Sequence, residues 1–171
     1  DASDITRTFP VGGRFGDAQR ALYEVVLEAQ LAAIAKVRAG NHWNDPHQAA
    51  ARALTKGLLK LGLLRGTLAK ALKTRSYARF FMHRTGHWLG MDVHDVGDYK
   101  IDGHWRELEP GMVLTVEPGL YIPRGAKGIA KKWQGIGIRI EDDVLVTQGE
   151  PDVLTRDVPK TVEQIEALMA R

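Results

Sequence analysis

Three carboxylates and one imidazole, Asp4, Glu117, Glu141 and His87, stand in segments that read as ordered structure rather than loop. Carboxylate-rich sites with a single histidine suit hard divalent cations, and two such cations held close together activate a water between them. The chemistry these four point to is hydrolysis at a dinuclear metal centre.

The other histidines sharpen this. His83, His87 and His94 fall close together with Trp88, Asp92 and Asp95, among glycines, which favours a site over three unrelated structural histidines. His83 and His87 have the spacing of the zinc motif H-E-x-x-H, but Arg84 stands where that motif needs its glutamate, and Gly86 disfavours the helix that would carry it. The zincin reading is therefore excluded. His42, His47 and His104 lack such company and read as surface or capping residues.

The elements that must position these groups follow from periodicity. Residues 6–10, preceded by Asp4 and closed by Gly12 and Gly13, read as a short strand ending in a turn. Apolar residues recur at helical period from 17 to about 37, and Gly40 ends that run. A second helix, with Asp45 as N-cap and Pro46 at its first position, runs to about residue 61. A shorter third covers residues 66–73. Residues 112–122 and 135–146 are rich in Val, Ile and Thr with period-two alternation and read as strands. A final helix, 162–169, is started by Thr161.

Alternation along a strand places Thr115 and Glu117 on one face, and Gly137, Arg139 and Glu141 on another. Arg139 is thus aimed the same way as Glu141, where a guanidinium orients a metal-binding carboxylate by charge-assisted hydrogen bonds. The plainer alternative is a surface ion pair of Arg139 with Asp142 or Asp143.

Composition bounds the answer. With 171 residues, 44% of them hydrophobic, the chain is long enough for one ordinary core. The absence of cysteine excludes disulfides and thiolate zinc sites and favours a cytoplasmic location. No run approaches the roughly 20 apolar residues of a membrane span, and the first residues have no signal-peptide character. Lys56, Lys60, Arg65, Lys70, Lys73 and Arg75 alternate with leucines at helical spacing, which reads as a solvated helix face rather than a nucleic-acid surface.

Four blocks of sequence carry a resemblance. Residues 83–97, HRTGHWLGMDVHDVG, resemble the signature of Xaa-Pro aminopeptidases, within the pita-bread metallopeptidases. Residues 108–121, LEPGMVLTVEPGLY, and 135–143, GIGIRIEDD, resemble the next two blocks of that family, and 4–9, DITRTF, an earlier one. The order is that of the family. The resemblance implies an α+β, pita-bread fold: a curved antiparallel sheet with helices packed outside, incomplete at its N-terminal half.

The resemblance further implies two divalent ions, manganese first, with zinc and cobalt as alternatives. Asp4 and Glu141 would bridge the ions, and His87 and Glu117 would complete the shell of one. A hydroxide between them would attack the carbonyl before a proline, with Glu117 exchanging the proton. His83 and His94 match the histidines that line the substrate pocket and stabilise the tetrahedral intermediate, with Arg139 beside them. Trp88 and Tyr121 are further substrate-contact candidates that also suit the core. Proline leaves a tertiary amide without N–H, so selection would rest on shape.

The family pattern also contains a further metal-binding aspartate before the position of Asp4, and an earlier histidine, neither of which occurs here. Asp1 lies in the wrong register to substitute. Residues 1–171 accordingly read as the C-terminal portion of one catalytic domain, expected to need its N-terminal part for full activity. A dimer or tetramer is expected, with no nucleic-acid or membrane partner. A prolidase and a metal-free peptide-binding module are the competing readings; retention of the ligand set argues against the second.

Overall fold

The computed structural model describes residues 2–170. Four α-helices, α1 (Asp17–Ile34), α2 (Asn44–Lys60), α3 (Leu68–Lys73) and α4 (Val162–Met169), accompany seven short strands. The strands are β1 (Lys100–Ile101), β2 (His104–Trp105), β3 (Val113–Val116), β4 (Gly119–Ile122), β5 (Ile136–Arg139), β6 (Asp142–Leu145) and β7 (Asp152–Val153). Every pairing between them is antiparallel.

The helices follow from amphipathic spacing. Leu22, Tyr23, Val26, Ala29 and Ala33 form the buried face of α1, which packs along α2. The two helices approach closely at Gly57, where an added Cβ would lie 2.3 Å from Val25 Cγ1. Thr161 caps α4 by accepting the Gln164 N–H, as its sequence implies. The start of α2 differs from expectation: Trp43 occupies the N-cap, and Asp45 instead accepts the His42 N–H.

The two Val/Ile/Thr-rich runs form one long ribbon broken in the middle. Val116 faces Asp142 and Gly119 faces Arg139, so the register is continuous across the gap and Glu117 stands opposite Glu141. The ladder lapses there because Pro118 has no N–H to donate; only a long bond from Ile140 N to the Pro118 carbonyl, 3.4 Å, crosses it. Leu114, Val116, Leu120, Ile138 and Val144 bury the helix-facing side of the ribbon in the common core. The expected strand over residues 6–10 reduces to an isolated bridge between Thr6 and Glu141.

Candidate metal centre

The centre is assembled by four neighbouring extended segments. Residues 85–89 run antiparallel to β3, with Thr115 N bonded to His87 O at 3.0 Å and Glu117 N to Thr85 O at 2.8 Å. This contact is close enough that a Cβ on Gly86 would fall 2.0 Å from the Thr115 carbonyl oxygen. The ribbon brings Glu141 opposite Glu117, and the bridge at Thr6 brings the segment carrying Asp4 alongside Glu141. Alternation then does the rest: His87, Glu117, Glu141 and Asp4 share the face of the sheet turned away from α1.

Two overlapping groups result. Ligand atoms of His87, Glu117 and Glu141 all lie within 4.8 Å of one another, and so do those of Asp4, His87 and His94. His87 Nε2 is 3.4 Å from Asp4 Oδ2 and 3.7 Å from Glu117 Oε1. Its Nδ1 lies 3.0 Å from the Trp88 carbonyl, which can only accept, so the proton sits on Nδ1. In the neutral ring the Nε2 lone pair therefore faces two carboxylates. That arrangement is repulsive unless a proton or a metal ion lies between them, and the orientation is the one in which a histidine presents itself to a metal.

The carboxylates agree. Burial pushes Glu117 above the usual carboxylate range, with His87 and Arg139 pulling the other way and Asp4 adding to the rise. Burial likewise raises Glu141, against the Thr6 hydroxyl bond, while Glu117 and Asp4 push it further up. Each group is short of positive charge. Oxygen-rich, with one imidazole and mutually destabilised carboxylates, the residues fit a hard divalent cation.

A second cluster borders the first. The Arg84 carbonyl lies 2.6 Å from His83 Nδ1 and fixes the proton there, so Nε2 accepts from the Tyr121 hydroxyl at 2.8 Å. Burial raises the Tyr121 phenol, partly offset by the adjacent Arg139 guanidinium. Arg139 also reaches the Thr6 hydroxyl at 3.3 Å, and its Nε lies 3.9 Å from Glu141 Oε2. The alternative pairing with Asp142 or Asp143 does not occur among the described residues: Asp142 binds Arg7 and Lys160, and Asp143 accepts from Ser3 and the Asp4 N–H.

Asp4, His87, Glu117, Glu141 and Arg139 are thus brought together, with His94 exposed at the rim and its ring centroid 4.4 Å from that of His87. His83 and Tyr121 form the adjoining cluster. Trp88 points to the other side: it is buried, stacked on Tyr99 at 5.8 Å and tilted against Trp43, which makes it a packing residue. His47 is a correction to the surface reading. It is half-buried, 2.8 Å from the buried Thr85 hydroxyl, because Pro46 and α2 carry it under the 85–89 segment. Asp1 lies outside the described residues. Sequence reasoning passed over Thr6, whose hydroxyl donates to Glu141 Oε2, and Asp143, which holds the Asp4 backbone. The Glu-Asp-Asp run is a signal for the latter; Thr6 stands inside the 4–9 block, but its residue type alone does not mark it.

Comparisons with known proteins cover the same stretch of chain. The model of metallopeptidase family M24 matches residues 2–148. The Xaa-Pro aminopeptidases of Haemophilus influenzae and Escherichia coli are each 48% identical over 98% of this chain. The chain spans only 39% and 38% of their lengths. The solved structure of Pseudomonas aeruginosa aminopeptidase PepP superposes with a TM-score of 0.97 at 58% identity, over 98% of this chain and 38% of that one. A zinc-substituted E. coli aminopeptidase P in complex with product gives 0.93 at 48% identity, over the same shares.

Proposed function

The chain belongs to metallopeptidase family M24 and has its pita-bread fold, and on that footing we propose that it is the metal-binding portion of an aminopeptidase that removes the N-terminal residue from peptides with proline in second position. The observation that carries this is the convergence of Asp4, His87, Glu117 and Glu141 on one sheet face, with Glu117 directly opposite Glu141. The names of the relatives favour Xaa-Pro aminopeptidase over prolidase.

Asp4, His87, Glu117 and Glu141 would hold the divalent ions, two manganese in our reading. Bound there, the ions would polarise the scissile carbonyl and lower the pKa of a water held between them. Glu117 accepts a proton from the attacking water and delivers it to the proline nitrogen. Arg139 steadies Glu141 and Thr6 from the solvent side. His83, oriented by Arg84 and Tyr121, and His94 at the rim line the space a substrate would enter. Residues beyond this segment would complete the second ion's shell, and the 171-residue chain alone is expected to be inactive.

The test uses the full-length polypeptide, its chelated form and an Xaa-Pro tripeptide. Metal-dependent release of the first residue, falling by about 10²–10⁴-fold in kcat for Glu117→Gln, is expected. Cleavage of Xaa-Pro dipeptides alone would transfer the protein to the prolidases. Peptide binding without turnover in any metal would make it a binding module.

A further inference from the structure

Behind the metal centre, on the opposite face of the same segments, lies a second constellation that does no chemistry. Asp4 and Thr6 face the centre, so Arg7 lies behind it; Glu141 and Asp143 face it, so Asp142 lies behind. The Arg7 side chain is only 9% exposed, and all of its five N–H groups are used. Nε donates to the Pro159 carbonyl at 2.9 Å. Nη1 donates to the Thr6 and Glu141 carbonyls at 3.0 and 2.7 Å. Nη2 donates to Asp142 Oδ1 at 2.7 Å and to the Val158 carbonyl at 3.0 Å.

Two of these bonds matter for the centre. Thr6 and Glu141 are the residues at which the Asp4 segment meets the ribbon, through one backbone–backbone bond from Glu141 N to the Thr6 carbonyl, 3.0 Å, with side-chain bonds at Thr6, Thr8 and Asp143 on either side of it. No ladder flanks that bridge on the Thr6 side, since residues 6–10 form no strand. Arg7 spans it, holding one carbonyl from each segment with a single nitrogen.

We propose that Arg7 is a positioning residue for the metal centre, fixing the spacing between the segment that carries Asp4 and the one that carries Glu141 and thereby setting the affinity for divalent cations. This rests on the metal-centre reading above. Lysine cannot replace it, because a single ammonium lacks the planar fork needed to meet five acceptors. Lys160 supplies the contrast. It binds the same Asp142 carboxylate, at 2.7 Å, and Gln30 Oε1 at 3.1 Å, but it touches neither the Thr6 nor the Glu141 carbonyl. A residue that only neutralises Asp142 would behave like Lys160.

The experiment titrates Mn2+ into the chelated full-length polypeptide, reading free Mn2+ by electron paramagnetic resonance, with thermal melting in parallel. Arg7→Lys keeps the charge beside Asp142 and is expected to weaken Mn2+ binding by about 10–100-fold. Lys160→Gln is expected to lower the melting temperature with Mn2+ affinity unchanged. Parent-like affinity in Arg7→Lys, or an equal loss in Lys160→Gln, overturns the proposal. His87→Ala separates the two readings: undiminished Mn2+ binding there would mean that the metal centre itself is misassigned. Should Arg7→Lys not fold, the parent's Arg7 Nη1 protons, which bond the Thr6 and Glu141 carbonyls, are followed by NMR while Zn2+ is added. Coupling is reciprocal, so bound metal is expected to slow their exchange with solvent, and an unchanged rate overturns the proposal.

Discussion

Glu117 and Glu141 face each other across an antiparallel ribbon, an arrangement that costs free energy unless something positive lies between them. Burial raises both carboxyls first; Asp4 adds to each rise, and Glu117 adds to that of Glu141. The consequence has a definite sign. In the metal-free protein the folded state holds protons that the unfolded state has released, so stability present below the ordinary glutamate value of 4.5 is lost as pH rises through the folded values. Glu117→Gln removes one of the two charges. In chelated protein at pH 7 it is expected to be more stable than the parent, by up to about 1 kcal/mol and with a higher melting temperature, the gap closing as pH falls. A lower melting temperature at pH 7 would show that the two glutamates do not repel. At this scale the convergence of Asp4, His87, Glu117 and Glu141 was legible, because residue type alone singles out an oxygen-rich set with one imidazole. Thr6 was not, since a threonine hydroxyl has many partners and only the fold selects Glu141.

At the scale of elements, the centre depends on how closely the 85–89 segment lies on β3. Gly86 permits that approach by having no side chain, the Thr115 carbonyl oxygen lying 2.0 Å from where a Cβ would be. Gly86→Ala is expected to cost about 1–3 kcal/mol, measured by denaturant unfolding, and to weaken metal binding as His87 moves away from Glu117. His47 supports the same segment from α2. Burial first, and then Arg84, Arg75 and His83, lower it to about 4. Its folded value is depressed, so the neutral ring is favoured and stability falls as pH drops from 6.5 toward 4, by up to about 3 kcal/mol. His47→Gln should flatten that decline while keeping a partner for Thr85, and an unchanged pH profile would contradict the assignment. Helices were legible because α1, α2 and α4 carry their apolar faces at the right period. The ribbon's break was not, because the Val/Ile/Thr alternation runs straight through Pro118 and only pairing shows which bonds the proline withholds. The first strand misled for the opposite reason: its β-branched residues serve one bridge and two metal-site contacts rather than a ladder.

Across the whole molecule, Asp142 ties distant parts of the chain together. It is fully buried and binds Arg7 from the first segment, Gln30 of α1, Thr155, and Lys160 ahead of α4. Burial alone would raise its carboxyl, but the bonds from Lys160, Arg7, Gln30 and Thr155 outweigh that and hold it below the usual range. Asp142→Asn would leave two buried cations short of their counter-charge, and a loss of about 3–5 kcal/mol in chemical denaturation is expected. The central claim is that Asp4, His87, Glu117 and Glu141 together hold divalent cations for peptide hydrolysis. The most direct test is metal content per chain of the full-length polypeptide after dialysis against Mn2+-free buffer, beside its His87→Ala and Glu141→Gln variants, with Xaa-Pro tripeptide cleavage on the same samples. The account predicts retained metal and turnover in the parent and loss of both in each variant; variants that keep the parent's metal content would contradict it.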